Sequence, residues 1–208
     1  DIKDMQDLPQ LLKEKNLQLG DFQPTTSYLS IQPRYESEYK AYVPIMTGCN
    51  KYCTFCAVPY TRGPEVSRPS AEILEEIKHL LDHGYKEITL LGQNVNSYGN
   101  DRQVNKSMKF AQGIKEKSTT NGSELTFPEL LNKINSIKGD FWVRFVSSHP
   151  YDLSDDLIKV LAKRKHLTEY FHLAVQSGSD KILKKMNRYH TTKHFLKRLE
   201  QIRKNVPG

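Results

Sequence analysis

All three cysteines of this chain lie within eight consecutive positions, at Cys49, Cys53 and Cys56. Disulfide frameworks are typical of small secreted domains with an even number of dispersed thiols, and this chain has neither feature. Structural zinc usually binds four ligands from two separated pairs, and no second cysteine pair is present here. The number and spacing of the thiols therefore favour an iron–sulfur cluster bound by one loop.

A cubane [4Fe–4S] cluster normally binds four cysteines, so three cysteines leave one iron without a protein ligand. As at a catalytic zinc, an open coordination position is where a substrate or cosubstrate binds. We therefore predict that Cys49, Cys53 and Cys56 bind an open-site cluster and that no other residue is catalytic. The alternative from another class is a non-catalytic zinc or iron–sulfur module that binds RNA and whose thiols are structural.

Strands that alternate with amphipathic helices predict an α/β fold, a parallel sheet covered by helices. The predicted strands are Ala41–Met46, Lys86–Leu91, 141–150 and 169–180. The predicted helices cover 68–84, 126–137, 153–164, 179–187 and 191–205. Four local signals support the helix boundaries: Ser70 and Ser154 as N-caps, Gly84 as a C-terminal stop, and Thr126 with Glu129 as a capping box.

Each predicted strand ends in a polar or thiol-rich turn. The first strand runs into the cysteines, and the others end in "GQN" (92–94), "SSHP" (147–150) and "QSGSD" (176–180). Ligands of parallel α/β folds bind at the carboxyl ends of the strands. The sequence therefore predicts one site that unites the cysteines with these three turns.

Several long stretches resemble a known family. "GCNKYCTFCAVPYTRGPEVSRP" (48–69), "LLGQNVNSYG" (90–99), "SSHP" and "HLAVQSGSDKILKKMNRYHT" (172–191) are similar to the methylthiotransferases of the radical S-adenosylmethionine (AdoMet) superfamily. More narrowly, they resemble the MiaB-type tRNA 2-methylthio-isopentenyladenosine synthases. Two further branches stay open as alternatives, one that acts on threonylcarbamoyl-adenosine in tRNA and one that acts on a ribosomal protein.

The resemblance implies a partial (βα)6 barrel that lacks its last units, with a [4Fe–4S] cluster and AdoMet as cofactors. It implies that one AdoMet methylates a sulfur held at a second [4Fe–4S] cluster, in a domain absent from this chain. A second AdoMet yields the radical that takes hydrogen from carbon 2 of isopentenyl-adenosine beside the anticodon. We expect residues 1–38 to be the end of a preceding domain plus a linker. Residues 39–208 would then be an incomplete core with a flexible insertion at 100–124, unable to complete turnover alone.

The strand-end turns and the cysteine loop supply the candidate cofactor-binding residues. Phe55 matches the superfamily position that lines the adenine of AdoMet, with a loop anchor as the alternative. The other candidates are Gln93, Asn94, Ser147, Ser148, Gln176 and Ser177, for which the alternative role is turn formation or loop capping. His149 is either a proton donor or a structural residue before proline, and Arg62 and Arg68 either contact a phosphate or carboxylate or lie on the surface.

The chain carries a net charge of +7 with a pI near 9.2, which fits a polyanionic partner. Nine basic residues crowd the last two predicted helices: Lys181, Lys184, Lys185, Arg188, Lys193, Lys197, Arg198, Arg203 and Lys204. They either contact RNA phosphates or form a solvated face. From the resemblance we expect the tRNA anticodon loop as partner, a flavodoxin or ferredoxin as electron donor, and a monomer. No apolar run approaches the roughly 20 residues of a membrane span, so we expect no membrane partner. The expected location is the cytoplasm, with an organelle matrix as the alternative.

Overall fold

The computed structural model describes Leu29, Tyr35 and residues 37–101, 125–163 and 165–206. Almost all of the predicted preceding domain, linker and insertion therefore lies outside the described residues. The strands are β1 (Lys40–Pro44), β2 (Met46–Thr47), β3 (Val66–Ser67), β4 (Glu87–Leu91) and β5 (Trp142–Phe145). The helices are α1 (Val58–Thr61), α2 (Ser70–Asp82), α3 (Phe127–Asn135), α4 (Asp155–Ala162), α5 (Asp180–Lys185) and α6 (Thr192–Asn205). Within the described ranges, 3₁₀ turns also lie at Val95–Ser97 and Pro150–Asp152.

β1, β4 and β5 form a parallel sheet in that order, so strands that follow one another across a helix are also neighbours in space. Ala41 lies opposite Ile88, and Ile88 lies opposite Val143. α2 connects the first pair of strands and α3 lies between the second pair, as in successive βα units. The predicted α/β fold, in the form of a partial set of βα units, is confirmed.

The core is centred on β4, the middle strand of the sheet. Ile88, Thr89 and Leu90 are consecutive and all buried, which means that both faces of this strand are covered. From α2, Ile73 and Ile77 pack into the same core. The sheet is thus fixed on both faces, and its carboxyl edge, where β1, β4 and β5 end, is held in place.

The helix boundaries follow the local signals in the sequence. Gly84 adopts φ +89° just after α2, and its N–H donates to Leu81 O at 3.0 Å. At the start of α3 the Glu129 carboxylate accepts from the backbone N–H of Thr126 at 2.7 Å. Ser154 caps α4, where its Oγ accepts from the N–H of Leu157 at 3.1 Å. These three stop and cap signals are confirmed. The predicted N-cap at Ser70 is wrong, because Ser70 is the first residue of α2 and Pro69 occupies the N-cap position.

The predicted fourth strand at 169–180 is wrong. Only isolated parallel bridges, Val143 with Leu167 and Ser148 with Leu173, continue the sheet beyond β5 in the described ranges. Ser147 and Gln176 both adopt φ +65°, a left-handed conformation that interrupts extended backbone. The segment therefore follows the edge of β5 without forming a continuous ladder.

The predicted first strand, Ala41–Met46, is divided at Ile45 into β1 and β2. β2 leaves the parallel sheet and pairs antiparallel with β3, with Met46 opposite Ser67. This short ribbon joins the two ends of the segment that contains the cysteines. Among the described residues, no helix is long and apolar enough to cross a membrane.

Candidate functional site

The cysteine loop, residues 48–57, leaves β2 through a glycine that the geometry requires. Gly48 adopts φ +75°, and a Cβ at this position would lie 1.9 Å from the backbone oxygen of Pro64. The next residue, Cys49, donates its N–H to Gly63 O at 3.1 Å. The two arms of the loop are therefore in backbone contact at its base, which only glycine permits.

The three predicted ligand thiols are free and share this loop. Cys53 is 8% exposed, and Cys49 and Cys56 are half-buried. The N–H of Cys56 donates to Cys53 O at 3.0 Å, which fixes the turn between the last two thiols. Burial raises the pKa of Cys49 to about 11, and the Glu65 carboxylate and the two other thiols add to the effect. Bound iron would lower the pKa of Cys49 instead, because a thiol that binds a metal ion is deprotonated.

In the described part of the chain, no three His, Cys, Asp or Glu side chains converge closely enough to hold a single metal ion. A cubane cluster does not require that convergence, because each cysteine binds a different iron atom. Three free thiols on one loop, two of them accessible, match this donor set. The residues present therefore fit an iron–sulfur cluster better than a single metal ion.

A buried polar network lies beside the cysteine loop. The Lys51 ammonium donates to Asp152 Oδ1 at 2.7 Å, and the Asn94 amide donates to the other carboxylate oxygen, Oδ2, at 2.7 Å. Glu65 accepts from the Ser97 hydroxyl at 2.8 Å. Asp152 thus links the cysteine loop to the turn that follows β4.

The turns after β4 and β5 are joined directly. The Asn96 amide donates to His149 O at 2.9 Å, and Asn96 Oδ1 accepts from the N–H of His149 at 2.9 Å. His149 Nδ1 in turn accepts from the N–H of Tyr151 at 3.1 Å. These bonds give His149 a structural role through its main chain and Nδ1, whereas its Nε2 is buried and has no hydrogen-bond partner in the described residues.

His149 stays neutral in the folded protein. Burial lowers its pKa to about 3, and the charges of Arg188 and Lys51 and the nearby His190 lower it further. The pKa of His190 is lowered as well, again mainly by burial. A neutral imidazole accepts the hydrogen bond from Tyr151 N–H and adds no positive charge beside Arg188 and Lys51.

This histidine predicts a loss of stability in mild acid. The unfolded chain binds a proton at His149 below its ordinary pKa of about 6.5, whereas the folded chain does so only near pH 3. The free energy of unfolding should therefore fall with a slope that approaches about 1.4 kcal/mol per pH unit below pH 6, or by about 1.6 kcal/mol between pH 6.5 and 5. Urea denaturation at several pH values measures the slope. His149→Asn keeps an acceptor near the position of Nδ1 and should remove this contribution, while the lowered pKa of His190 leaves a smaller slope of the same sign; an unchanged slope would contradict the assignment.

Three of the predicted cofactor-binding residues after β4 and β5 have buried oxygens that no described protein group satisfies. In the described ranges, Gln93 Oε1, Asn94 Oδ1 and Ser148 Oγ have no hydrogen-bond partner. A buried acceptor without a partner costs about 1–3 kcal/mol, so such atoms mark places where a ligand or water binds. The structure brings these three residues to the carboxyl edge, as predicted.

The remaining predicted residues are placed differently. Ser177 Oγ accepts from the N–H of Ser179 at 3.1 Å, which agrees with the alternative role in turn formation. Gln176 is exposed and left-handed, and the backbone N–H of Ser147 donates to His172 Nδ1 at 3.3 Å. Phe55 is 53% exposed on the cysteine loop, so its ring is accessible to a planar ligand.

Some of the basic candidates form ion pairs with carboxylates, and others are exposed. Arg68 pairs with Glu72 and Glu76 and donates to Pro44 O, so its guanidinium already has protein partners. Arg198 pairs with Asp155 of α4. The six lysines of the predicted basic face and Arg203 are exposed: Lys181, Lys184, Lys185, Lys193, Lys197, Lys204 and Arg203.

Arg188 does not belong to the exposed basic face. Its guanidinium points toward the cysteine loop, where Nη1 donates to Cys53 Sγ at 3.4 Å.

The sequence did not predict the roles of Asn96 and Asp152, whose partners lie 53 to 101 residues away. The only signal in the sequence was their position, directly after predicted strands.

Comparison with known proteins places these features in context. Residues 43–208 match the Radical SAM superfamily. The chain is 43% identical over 204 residues to "tRNA-2-methylthio-N(6)-dimethylallyladenosine synthase" of Thermoanaerobacter sp. (strain X514), covering 96% of this chain and 39% of that protein. It is 46% identical over 194 residues to the protein of the same name from Clostridium botulinum (strain Langeland / NCTC 10281 / Type F), covering 88% and 39%. The chain thus spans about 39% of the length of these curated relatives.

Among solved structures, the fold resembles the apo form of a cobalamin-dependent S-adenosylmethionine radical enzyme, OxsB. The TM-score is 0.55 at 14% sequence identity, covering 80% of this chain and 22% of that one. At this identity the similarity concerns the fold alone.

Proposed function

We propose that this chain, which belongs to the radical SAM superfamily, binds an AdoMet-cleaving [4Fe–4S] cluster through Cys49, Cys53 and Cys56. One observation carries the proposal: these thiols share a loop beside the sheet edge where Gln93, Asn94 and Ser148 have unsatisfied buried oxygens. We further propose that the chain is the core of an enzyme that methylthiolates carbon 2 of isopentenyl-adenosine next to the tRNA anticodon.

When bound, the cluster supplies the electron that cleaves AdoMet into methionine and a 5′-deoxyadenosyl radical. The residues of the chain hold and orient the reactants. Oxygens of Gln93, Asn94 and Ser148 are acceptors for amino or hydroxyl hydrogens of the cosubstrate. The exposed ring of Phe55 offers a stacking surface for its adenine, since aromatic rings and bases stack through their faces. Asp152 keeps the Asn94 amide occupied, which leaves the oxygen as the free end of that side chain.

The tRNA substrate is supported by the names of the relatives and by the exposed basic side chains of α5 and α6. Release of counterions from phosphates would supply sequence-independent affinity. A one-electron donor such as a flavodoxin or ferredoxin is required, and a second cluster would belong to a domain outside this chain. Cysteine-bound clusters favour a reducing compartment, which supports the cytoplasm as the location.

A chimaera tests the substrate. This chain replaces the matching segment of the Thermoanaerobacter relative, and the chimaera is expressed in a bacterial strain whose tRNA carries isopentenyl-adenosine but no methylthio group. Nucleoside mass spectrometry should then show 2-methylthio-isopentenyladenosine. A Cys53→Ala chimaera is the matched control and should leave the tRNA unmodified. A methylthio group found only on threonylcarbamoyl-adenosine or on a ribosomal protein would contradict the proposed substrate.

A further inference from the structure

One short segment from the far end of the chain holds the cysteine loop. Residues 185–188 comprise the last residue of α5 and the three that follow it, and they contact residues 51–54 across 131 to 136 positions of sequence. The N–H of Thr54 donates to Met186 O at 3.2 Å, and the hydroxyl of Thr54 donates to Lys185 O at 3.1 Å. The main chain of this segment therefore fixes the middle of the cysteine loop.

Asn187 contributes through its side chain. Its amide donates to Tyr52 O at 2.9 Å and to Lys51 O at 3.4 Å. Tyr52 and Asn187 both adopt left-handed backbone, with φ of +48° and +53°. Asparagine tolerates this conformation, whereas for a bulky tyrosine it is strained and persists only where the surroundings enforce it. The Asn187 amide is one of the contacts that enforce it.

Arg188 contributes charge. Nη1 donates to Cys53 Sγ at 3.4 Å, and Nη2 donates to Ala174 O at 3.0 Å, which sets the plane of the guanidinium. In the described ranges this half-buried guanidinium forms no ion pair with a carboxylate. Its charge is felt locally, because it lowers the pKa of both His149 and His190. The remaining partner for this charge is the sulfur of Cys53.

We propose that Arg188 is a positioning residue for Cys53 that makes the bound cluster easier to reduce, and that Asn187 holds the loop around it. This inference rests on the proposed function, in which Cys53 is a cluster ligand. Cluster potentials depend on net charge and on hydrogen bonds to the sulfurs. The reduced cluster carries one more negative charge than the oxidised cluster. A fixed cation beside one thiolate therefore stabilises the reduced form to a greater extent.

Redox titration monitored by EPR on the anaerobically reconstituted protein tests the charge. Arg188→Gln should lower the ratio of reduced to oxidised cluster at a given solution potential about tenfold, a shift of about 59 mV for one electron. Arg188→Lys keeps the charge and should show a smaller shift. Arg198→Gln is the matched control, because Arg198 pairs with Asp155 on another helix, and it should leave the potential unchanged. A potential unaltered by Arg188→Gln would overturn the inference; a wild-type chain without a cluster would instead overturn the proposed function and this inference with it.

Alkylation of the iron-free protein tests the loop without any cluster. In Asn187→Gly the glycine tolerates the left-handed backbone. The substitution removes both hydrogen bonds that the side-chain amide donates, so the cysteine loop should open more often. Alkylation of Cys53 by iodoacetamide, followed by mass spectrometry, should become about tenfold faster, since two hydrogen bonds are lost. Cys49 serves as an internal reference, because its N–H is held by Gly63 O at the base of the loop. Equal Cys53 rates in Asn187→Gly and wild type would overturn the role of Asn187.

Discussion

Alanine at any one of the three cysteines is expected to abolish AdoMet cleavage. Cys49, Cys53 and Cys56 are the only thiols in the chain, so no other cysteine is available to replace a lost ligand. Iron content should fall and 5′-deoxyadenosine should drop to background in Cys49→Ala, Cys53→Ala and Cys56→Ala alike. Chromatography of reaction mixtures containing AdoMet and dithionite measures the product, and iron analysis measures the cluster.

The three variants also separate ligand chemistry from packing. Cys53 is buried, so Cys53→Ala should cost roughly 1 kcal/mol of unfolding free energy, whereas the half-buried Cys49 and Cys56 should cost less. If the thiols served only as small apolar side chains, Cys53→Ala would lose the most AdoMet cleavage, because Cys53 is the most buried of the three. Cleavage activity retained in Cys49→Ala or Cys56→Ala would contradict the assignment.

The second large effect is expected at the entrance of the cysteine loop, where Gly48→Ala should unfold the site. The new Cβ would lie 1.9 Å from Pro64 O, and the residue would keep the unfavourable φ of +75°. Left-handed backbone, overpacking against main chain and loss of the Cys49–Gly63 hydrogen bond together amount to about 3–5 kcal/mol. Urea denaturation measures this loss, and cluster incorporation should fall with it.

Gly84→Ala is the matched control for this substitution. Gly84 also adopts a positive φ, of +89°, but a Cβ there would have no neighbour within 4 Å. This variant should lose only about 1–2 kcal/mol, the cost of the left-handed backbone. The difference between the two variants isolates the collision at the base of the loop. Equal losses would show that Pro64 moves aside freely and that the loop entrance is not rigid.

Local patterns account for the parts of the fold that the sequence predicted well. Period-3.6 apolar spacing located α2 and α3, and the Thr126–Glu129 pair and Gly84 marked their boundaries, because these signals depend on neighbours within four residues. The alternation of strands and helices in the sequence also predicted that the carboxyl ends of the parallel strands meet at one edge of the sheet. It placed Gln93, Asn94 and Ser148 at the carboxyl edge together with the cysteine loop.

Long-range contacts account for most of what was missed. Asp152 meets Lys51, and Arg188 meets Cys53, across 101 and 135 residues, and neither pairing leaves a local pattern. Arg188 was therefore grouped with the exposed basic residues. The fourth strand was predicted wrongly for a related reason, since left-handed backbone at Ser147 and Gln176 is not visible in the residue types. The division of the first strand, which forms the β2–β3 ribbon, likewise depends on a partner some 20 residues away.

The measurement that tests the central claim most directly is anaerobic reconstitution of the wild-type chain with iron and sulfide, with EPR of the reduced protein recorded before and after AdoMet is added. About four irons per chain and an EPR signal that AdoMet alters are expected, because a cubane with three protein ligands leaves one iron open. Zinc in place of iron, or a cluster whose signal AdoMet does not change, would contradict the account.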